Sequence, residues 1–211
     1  MTPARRTPEQ TRLLRASLLE HARRLVAREG AAALTMRALA AEAGCAVGLP
    51  YKVFANRDEL VAELVAAEYE RLAAAFAELV AGAGTGTVAG NLMRYAELLL
   101  DSPALALVAE LQHDAGLLRT LDARAAESGL VPALVGTVVE YLAAEKRLGR
   151  VAADVDEDAF GFVIAGAIHN LLVSGEQYPR PERERLARML AAVAARLAPT
   201  PTTETSREKD E

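Results

Sequence analysis

The chain has 211 residues, of which 52% are hydrophobic and 4% aromatic, with one cysteine and a net charge of −5. The length allows one or two domains with a sizeable core, and the low aromatic content suits helices packed through alanine and leucine. Apolar runs stay shorter than the roughly 18 residues of a membrane span. No signal peptide is visible, and one cysteine cannot form an internal disulfide, so we predict a cytoplasmic protein.

The charge is unevenly distributed along the chain. Residues 1–60 hold 10 Lys or Arg against 6 Asp or Glu, whereas residues 61–211 hold 14 against 23. The two parts therefore carry +4 and −9. A basic first part on an acidic second part is expected when only the first part contacts nucleic-acid phosphates.

The N-terminal part is predicted to be a bundle of three helices after a disordered start. Residues 1–8 hold two prolines, and an apolar stripe at helical spacing then predicts a helix over 8–29. Thr35 is placed to cap a second helix that ends at Gly44. A third helix is predicted over 47–54. A helix, a short glycine-containing turn and another helix form a helix-turn-helix, whose second helix can enter the major groove of DNA.

Asn56 is predicted to cap a long helix that runs to Val80 and connects the first part to the rest of the chain. The glycine-rich loop over 81–87 matches no phosphate-binding glycine pattern. Further helices are predicted over these ranges: 88–100, 103–114, 117–127 and 130–147. Two more amphipathic helices follow, and the Pro- and Thr-rich tail over 199–211 is predicted to be disordered.

The pattern over Thr11 to Leu60 resembles the tetracycline-repressor (TetR) family of transcriptional regulators. The resemblance rests on Glu29-Gly30, the Thr35 cap, AxxAG at 40–44, G-x-x-Y-x-x-F beginning at Gly48, and NRDEL at 56–60. It implies an all-α fold with a helix-turn-helix head over 1–56 and a helical effector-binding and dimerisation body over 57–198. It also implies a homodimer that represses transcription at a palindromic operator and leaves the DNA when a small molecule binds.

Departures from the family pattern lie in the recognition helix itself. Ala46 and Val47 stand where family members often carry a serine and a basic residue, and Leu49-Pro50 replaces a pair such as Thr-Leu. Because proline is tolerated only in the first turn of a helix, we expect the recognition helix to start late and to be short. A helical ligand-binding protein with weakened or non-specific DNA binding is therefore the alternative.

The residues predicted to contact DNA come from both helices of the motif and from the start of the connecting helix. They are Thr35, Arg37, Val47, Gly48, Leu49, Tyr51, Lys52 and Arg57. The three cations suit phosphates, while Leu49 suits contacts with thymine methyl groups.

The resemblance implies that the last two helices form a four-helix bundle with those of a second copy. The predicted interface residues are Phe160, Ile164, Ile168, Leu172, Leu186, Leu190 and Val193. The alternative is that both helices serve only the core of one chain.

An effector site is predicted as a largely apolar cavity with a few polar groups. Polar residues that interrupt apolar helices are the candidates: Tyr95, Gln112, His113, Tyr141, His169 and Asn170. His113-Asp114 lacks further ligands at helical spacing, so no metal and no other cofactor is predicted. No catalytic motif is present, and a helical enzyme that uses the body cavity is the least favoured hypothesis.

Overall fold

The computed structural model describes residues 7–110, 116, 119, 121, 129–174 and 178–200. Every regular element in these ranges is helical, which confirms the all-α prediction. The helices are α1 Pro8–Glu29, α2 Met36–Glu42, α3 Arg57–Ala81, α4 Val88–Leu100, α5 Pro103–Glu110, α6 Leu130–Arg147, α7 Glu157–Val173 and α8 Arg183–Leu197. Short 3-10 turns cover Ala31–Ala33 and Pro50–Lys52.

Side-chain caps fix where several helices begin. The Thr35 hydroxyl accepts a hydrogen bond from the Ala38 amide at 3.1 Å, and the Asn56 side chain accepts one from the Glu59 amide at 2.8 Å. These bonds satisfy amides that have no partner inside the helix. The predicted starts of α2 and α3 are therefore confirmed.

The head is a bundle in which α1 packs against α2 and against the first half of α3. Its core is made of fully or almost fully buried side chains, namely Leu18, Ala22, Leu39, Phe54 and Leu60. Because α3 continues without interruption to Ala81, the same helix also carries core residues of the body, such as Phe76.

The prediction of an α-helix over residues 47–54 is wrong. The chain forms a turn at 47–49 and then the 3-10 turn Pro50–Lys52. Pro50 has no amide hydrogen to donate, and the Leu49 amide bonds the Ala46 carbonyl three residues back at 2.8 Å. The recognition segment, as we call residues 47–54, is thus shorter and tighter than an α-helix.

The body is built from α3, α4, α6, α7 and α8, and α6 lies very close to α7. A β-carbon placed on Gly161 of α7 would lie 2.4 Å from Cγ2 of Val139 in α6. The glycine at position 161 therefore allows the close approach of two helices within one chain. Of the helix predicted over 103–114, residues 111–115 lie outside the described ranges. The helix predicted over 117–127 also lies mostly outside them, although Leu121 is helical and buried.

The predicted dimer residues lie largely inside the chain's own core. Ile164, Ile168, Leu186 and Leu190 are buried, with Ile164 only 4% exposed. Phe160, Leu172 and Val193 are partly buried and pack against the same core. Within one chain these side chains hold α7 and α8 onto α4 and α6, and their assignment to an intersubunit surface stays a prediction.

Candidate nucleic-acid interface

The recognition segment presents several side chains to solvent beside α2. Val47 is 50% exposed and Tyr51 is 57% exposed, and Gly48 and Lys52 are also exposed. Leu49 is half-buried, so its side chain also contributes to packing in the head. The segment packs against α2, which brings most of the predicted DNA-contacting residues to one region of the head.

The turn between α2 and the recognition segment is held by backbone hydrogen bonds. Gly44 has a φ of +60°, a conformation that glycine adopts without steric cost. The Cys45 amide then donates to the Ala40 carbonyl at 2.9 Å and closes the end of α2. These bonds fix the angle at which the segment leaves the helix.

Arg37 and Lys52 are exposed, and neither forms an ion pair with any residue in the described ranges. Other arginines of the head are paired, as Arg28 is with Glu42 at 2.7 Å. Arg37 on α2 and Lys52 on the segment therefore have their full charge available for an external anion. This is the electrostatic requirement for binding phosphates.

Arg57 has a different position from the one predicted. Its Nε donates to the Leu34 carbonyl at 2.7 Å, and one terminal nitrogen donates to the Ala31 carbonyl at 3.3 Å. The guanidinium thereby ties the start of α3 to the turn that precedes α2. Thr35 likewise uses its hydroxyl as a cap. Both residues shape the head, whatever further contact they make with DNA.

Two of the predicted effector residues, Tyr95 and Tyr141, are buried inside the body. Tyr95 is fully buried and donates to the Leu134 carbonyl at 2.9 Å, and burial raises the pKa of its hydroxyl above the usual 10. Tyr141 is also buried and donates to Glu145 at 2.6 Å. Each tyrosine has its hydrogen-bond partner inside the chain, so both belong to the core rather than to the wall of an open cavity.

Two of the remaining effector candidates lie on α7, and the other two lie outside the described residues. His169 is exposed on α7, and the Asn170 side chain accepts a hydrogen bond from Ser174 at 2.6 Å. Gln112 and His113 lie outside the described residues.

A cleft of about 360 Å³ lies where the head meets the body, between α1, α3 and α4. Its lining includes Arg23 of the head, Glu68 and Arg71 of α3, and Arg94 of α4. Glu68 is 5% exposed and joins the two parts: it pairs with Arg23 at 3.4 Å and accepts a hydrogen bond from Ser102 at 3.0 Å. The lining combines these charged side chains with the apolar residues Leu72, Ala75 and Leu98.

An exposed apolar surface on α7 and α8 escaped the sequence analysis. It consists of Phe162, Val163 and Val173 on α7 with Met189 on α8, and we call it the outer face. Phe162 is 68% exposed and Val163 is 63% exposed, which is unusual for large apolar side chains on one helix. The sequence signal for this surface was the helical spacing of Phe162, Val163 and Val173, which lie beside the buried stripe of α7.

Within the described ranges, no group of three or more potential metal-binding side chains is found. No helix in the part of the chain that the structure describes has the length and apolar character to cross a membrane.

Residues 18–64 match the family model of bacterial regulatory proteins, tetR family. No curated protein matches the chain in sequence. The match spans the helices and turns described above, from the middle of α1 through the recognition segment to the first part of α3. It therefore covers the head and leaves the body to be compared by structure.

Solved structures share the fold across nearly the whole chain. A regulator from Mesorhizobium loti MAFF303099, assigned to the TetR family, aligns with a TM-score of 0.65 at 16% identity, covering 91% of this chain and 97% of its own. A TetR-family regulator from Pectobacterium atrosepticum gives 0.59 at 23% identity, covering 93% and 100%. A protein from Saccharomonospora viridis, assigned as a transcriptional regulator and solved with choline, gives 0.58 at 20% identity, covering 87% and 96%. Residues 18–64 thus match the tetR family of bacterial regulatory proteins, and the chain shares its fold with solved structures that are assigned to TetR-family regulators.

Proposed function

We propose that the chain is a ligand-responsive transcriptional repressor that binds a palindromic DNA operator as a homodimer and is released by a small-molecule effector. The observation that carries this proposal is the helix-turn-helix head with its tetR-family match. In this head, unpaired cations lie beside the exposed recognition segment. The domain division at residues 56 and 57 is part of the same proposal.

DNA contacts divide into two kinds in this proposal. Arg37 and Lys52 contact phosphates, where charge sets affinity and salt dependence. Val47, Gly48 and Leu49 approach the base edges, and Tyr51 donates its exposed hydroxyl to a phosphate. We leave Arg57 out of the phosphate set because two of its nitrogens already bond backbone carbonyls.

The homodimer forms through the outer face rather than through the residues that the sequence analysis named. Phe162 and Val163 project from α7 and Met189 projects from α8, and burying them against a second copy removes apolar surface from water. Gly166 lies on the same exposed side of α7 and has open space around its α-carbon. It lets the two copies of α7 approach closely. A two-fold axis at this face makes the contact self-complementary.

The effector acts by coupling, which requires that the ligand and the DNA favour different arrangements of the two heads. The cleft between α1, α3 and α4 is the candidate site, since a ligand there lies against the Arg23–Glu68–Ser102 contact between head and body. Its charged lining favours a polar ligand with both donors and acceptors. Choline in the Saccharomonospora viridis protein is a precedent for a charged ligand on this fold.

Selection from a pool of random DNA duplexes, followed by sequencing, tests the proposal. We expect an enriched inverted repeat whose half-sites are about one helical turn, roughly 34–36 Å, apart or a multiple of that distance. Weak, strongly salt-dependent binding without enrichment would instead favour the alternative, a ligand-binding protein with non-specific DNA binding. The specific observation behind this alternative is that the recognition segment contains a 3-10 turn instead of an α-helix.

A further inference from the structure

The recognition segment lacks the ladder of hydrogen bonds that stiffens an α-helix. Its last amides, those of Val53 and Phe54, both donate to the same Pro50 carbonyl at 2.9 Å. A single carbonyl therefore anchors the end of the segment through the backbone. The buried Phe54 side chain also holds this end, and contacts from outside the segment have to fix its backbone if the segment is to present a defined surface to DNA.

Arg15 of α1 contacts this end directly at Val53 and Phe54 and indirectly, through Glu59, at Ala55. Its terminal nitrogen donates to the Val53 carbonyl at 2.8 Å, and its guanidinium carbon lies 5.1 Å from the centre of the Phe54 ring. The same side chain pairs with Glu59 at 3.3 Å, and Glu59 accepts a hydrogen bond from the Ala55 amide at 2.6 Å. Arg15 thus attaches the Val53 carbonyl and the Phe54 ring to α1 directly, and the Ala55 amide through Glu59.

Two carboxylates of α3 fix the position of the Arg15 guanidinium. The guanidinium pairs with Glu63 as well as with Glu59, one turn apart on the first part of that helix. The Arg15 side chain is 34% exposed, so these contacts are partly screened from water. Because two carboxylates and an aromatic ring contact the planar guanidinium, its orientation is fixed. The ammonium group of a lysine does not reproduce this orientation.

We propose that Arg15 is a positioning residue for DNA readout: it orients the recognition segment without touching DNA. This inference rests on the proposed function and adds a determinant of sequence specificity outside the DNA-contacting surface. Loss of Arg15 frees residues 53–55, so the segment presents its base-facing residues in several orientations. Discrimination between sequences falls, whereas attraction to phosphates through Arg37 and Lys52 remains.

The test compares Arg15→Met and Arg15→Lys with Arg12→Met, a charge-matched control on the same helix. Arg12 is exposed and forms no ion pair with described residues. The first readout is the ratio of affinities for a selected operator and a scrambled duplex. The second is amide hydrogen exchange at Phe54 and Ala55, measured on the full chain without DNA at a temperature well below unfolding. If Arg15→Met does not fold, the same two measurements on Arg15→Lys test the inference.

We expect Arg15→Met to lower the affinity ratio at least tenfold and to speed exchange at Phe54 and Ala55 at least tenfold, while exchange in the second half of α3 stays as in the wild type. Arg15→Lys gives intermediate values, and Arg12→Met keeps the wild-type ratio and exchange rates. If Arg15→Met keeps the wild-type ratio of the two affinities, even with both affinities reduced equally, the inference is overturned.

The two proposals fail in different ways. If the wild-type chain selects no operator, the proposed function fails, and the exchange rates alone then decide the role of Arg15. Faster exchange confined to residues 53–55 supports a positioning role, and unchanged exchange refutes it.

Discussion

Replacing Gly161 with alanine places a methyl group inside the contact between α6 and α7. The added carbon would lie 2.4 Å from Cγ2 of Val139 and 3.0 Å from the Val139 backbone nitrogen. Carbon atoms in ordinary contact are about 3.5–4.0 Å apart, so the valine side chain has to retreat by more than about 1 Å. The backbone nitrogen belongs to α6 and cannot rotate away, so the two helices have to separate slightly.

The size of the effect follows from two opposing contributions. Overpacking a core contact typically costs about 1–3 kcal/mol, whereas replacing glycine by alanine in a helix gains about 0.5–1 kcal/mol. We therefore expect Gly161→Ala to lower the free energy of unfolding by about 1–2 kcal/mol. For a chain of this size, where 1 kcal/mol shifts the melting temperature by about 2–4 °C, this is a decrease of about 2–8 °C.

Gly136→Ala in α6 is the matched control, because a β-carbon at Gly136 meets nothing within 4 Å. The alanine at position 136 favours the helix as the alanine at position 161 does, but it causes no clash. The melting temperature of Gly136→Ala is therefore expected to rise. Circular dichroism during heating, at one protein concentration for all variants, measures both changes. The double variant Gly161→Ala with Val139→Ala removes the 2.4 Å contact and is expected to recover part of the loss. A Gly161→Ala protein as stable as Gly136→Ala would refute the close packing of α6 on α7.

Further predictions concern binding, assembly and pH. Lys52→Glu is expected to weaken binding to all duplexes and to lower the salt slope by about 1, measured by titrations at several salt concentrations; an unchanged slope would remove Lys52 from the phosphate set. Val163→Glu should convert the dimer to a monomer in sedimentation velocity, whereas the exposed control Ala153→Glu should not, and a dimeric Val163→Glu would exclude the outer face. The hydrogen bond from Arg28 lowers the pKa of Glu42 below 4.5, so the stability that this pair contributes is present at neutral pH and lost as pH falls through the folded-state pKa. Chemical denaturation between about pH 5 and pH 3 should therefore show a smaller loss of stability in Glu42→Gln than in the wild type, and equal losses would contradict the pairing.

The sequence was most informative where a local rule determines the structure. Thr35 and Asn56 are residues that cap helices through their own side chains, so the starts of α2 and α3 were predictable. The order of caps, glycines and apolar residues in the head also carried the family resemblance, which the match over residues 18–64 confirms.

Local rules predicted less well where proline competes with helix formation. The sequence indicated that Pro50 shortens the recognition helix, but not that the segment takes a 3-10 turn. The choice depends on contacts that are distant in sequence, above all the bond from Arg15 to the Val53 carbonyl across 38 positions. A periodicity argument considers only neighbours along one helix and cannot anticipate this contact.

The interface on α7 is hard to predict from the sequence for a different physical reason. This helix is apolar on more than one side. From the sequence, an interface could form equally well through the stripe that contains Ile164 and Ile168 or through the stripe that contains Phe162 and Val163. Only the position of α6 decides which stripe is buried, and Gly161 sets that position. The surroundings of Tyr95 and Tyr141 were also beyond the sequence, since both have hydrogen-bond partners inside the chain that no sequence pattern reveals.

The central claim, that two copies of this chain read one palindromic DNA site, is tested most directly by sedimentation velocity of the wild-type chain on a labelled duplex. The duplex carries the inverted repeat obtained by selection, and a duplex with only one half-site is the control. We predict two chains on the inverted repeat at saturation, with no stable species carrying one chain. A single chain per inverted repeat, or equal occupancy of the inverted repeat and the half-site, would contradict the account.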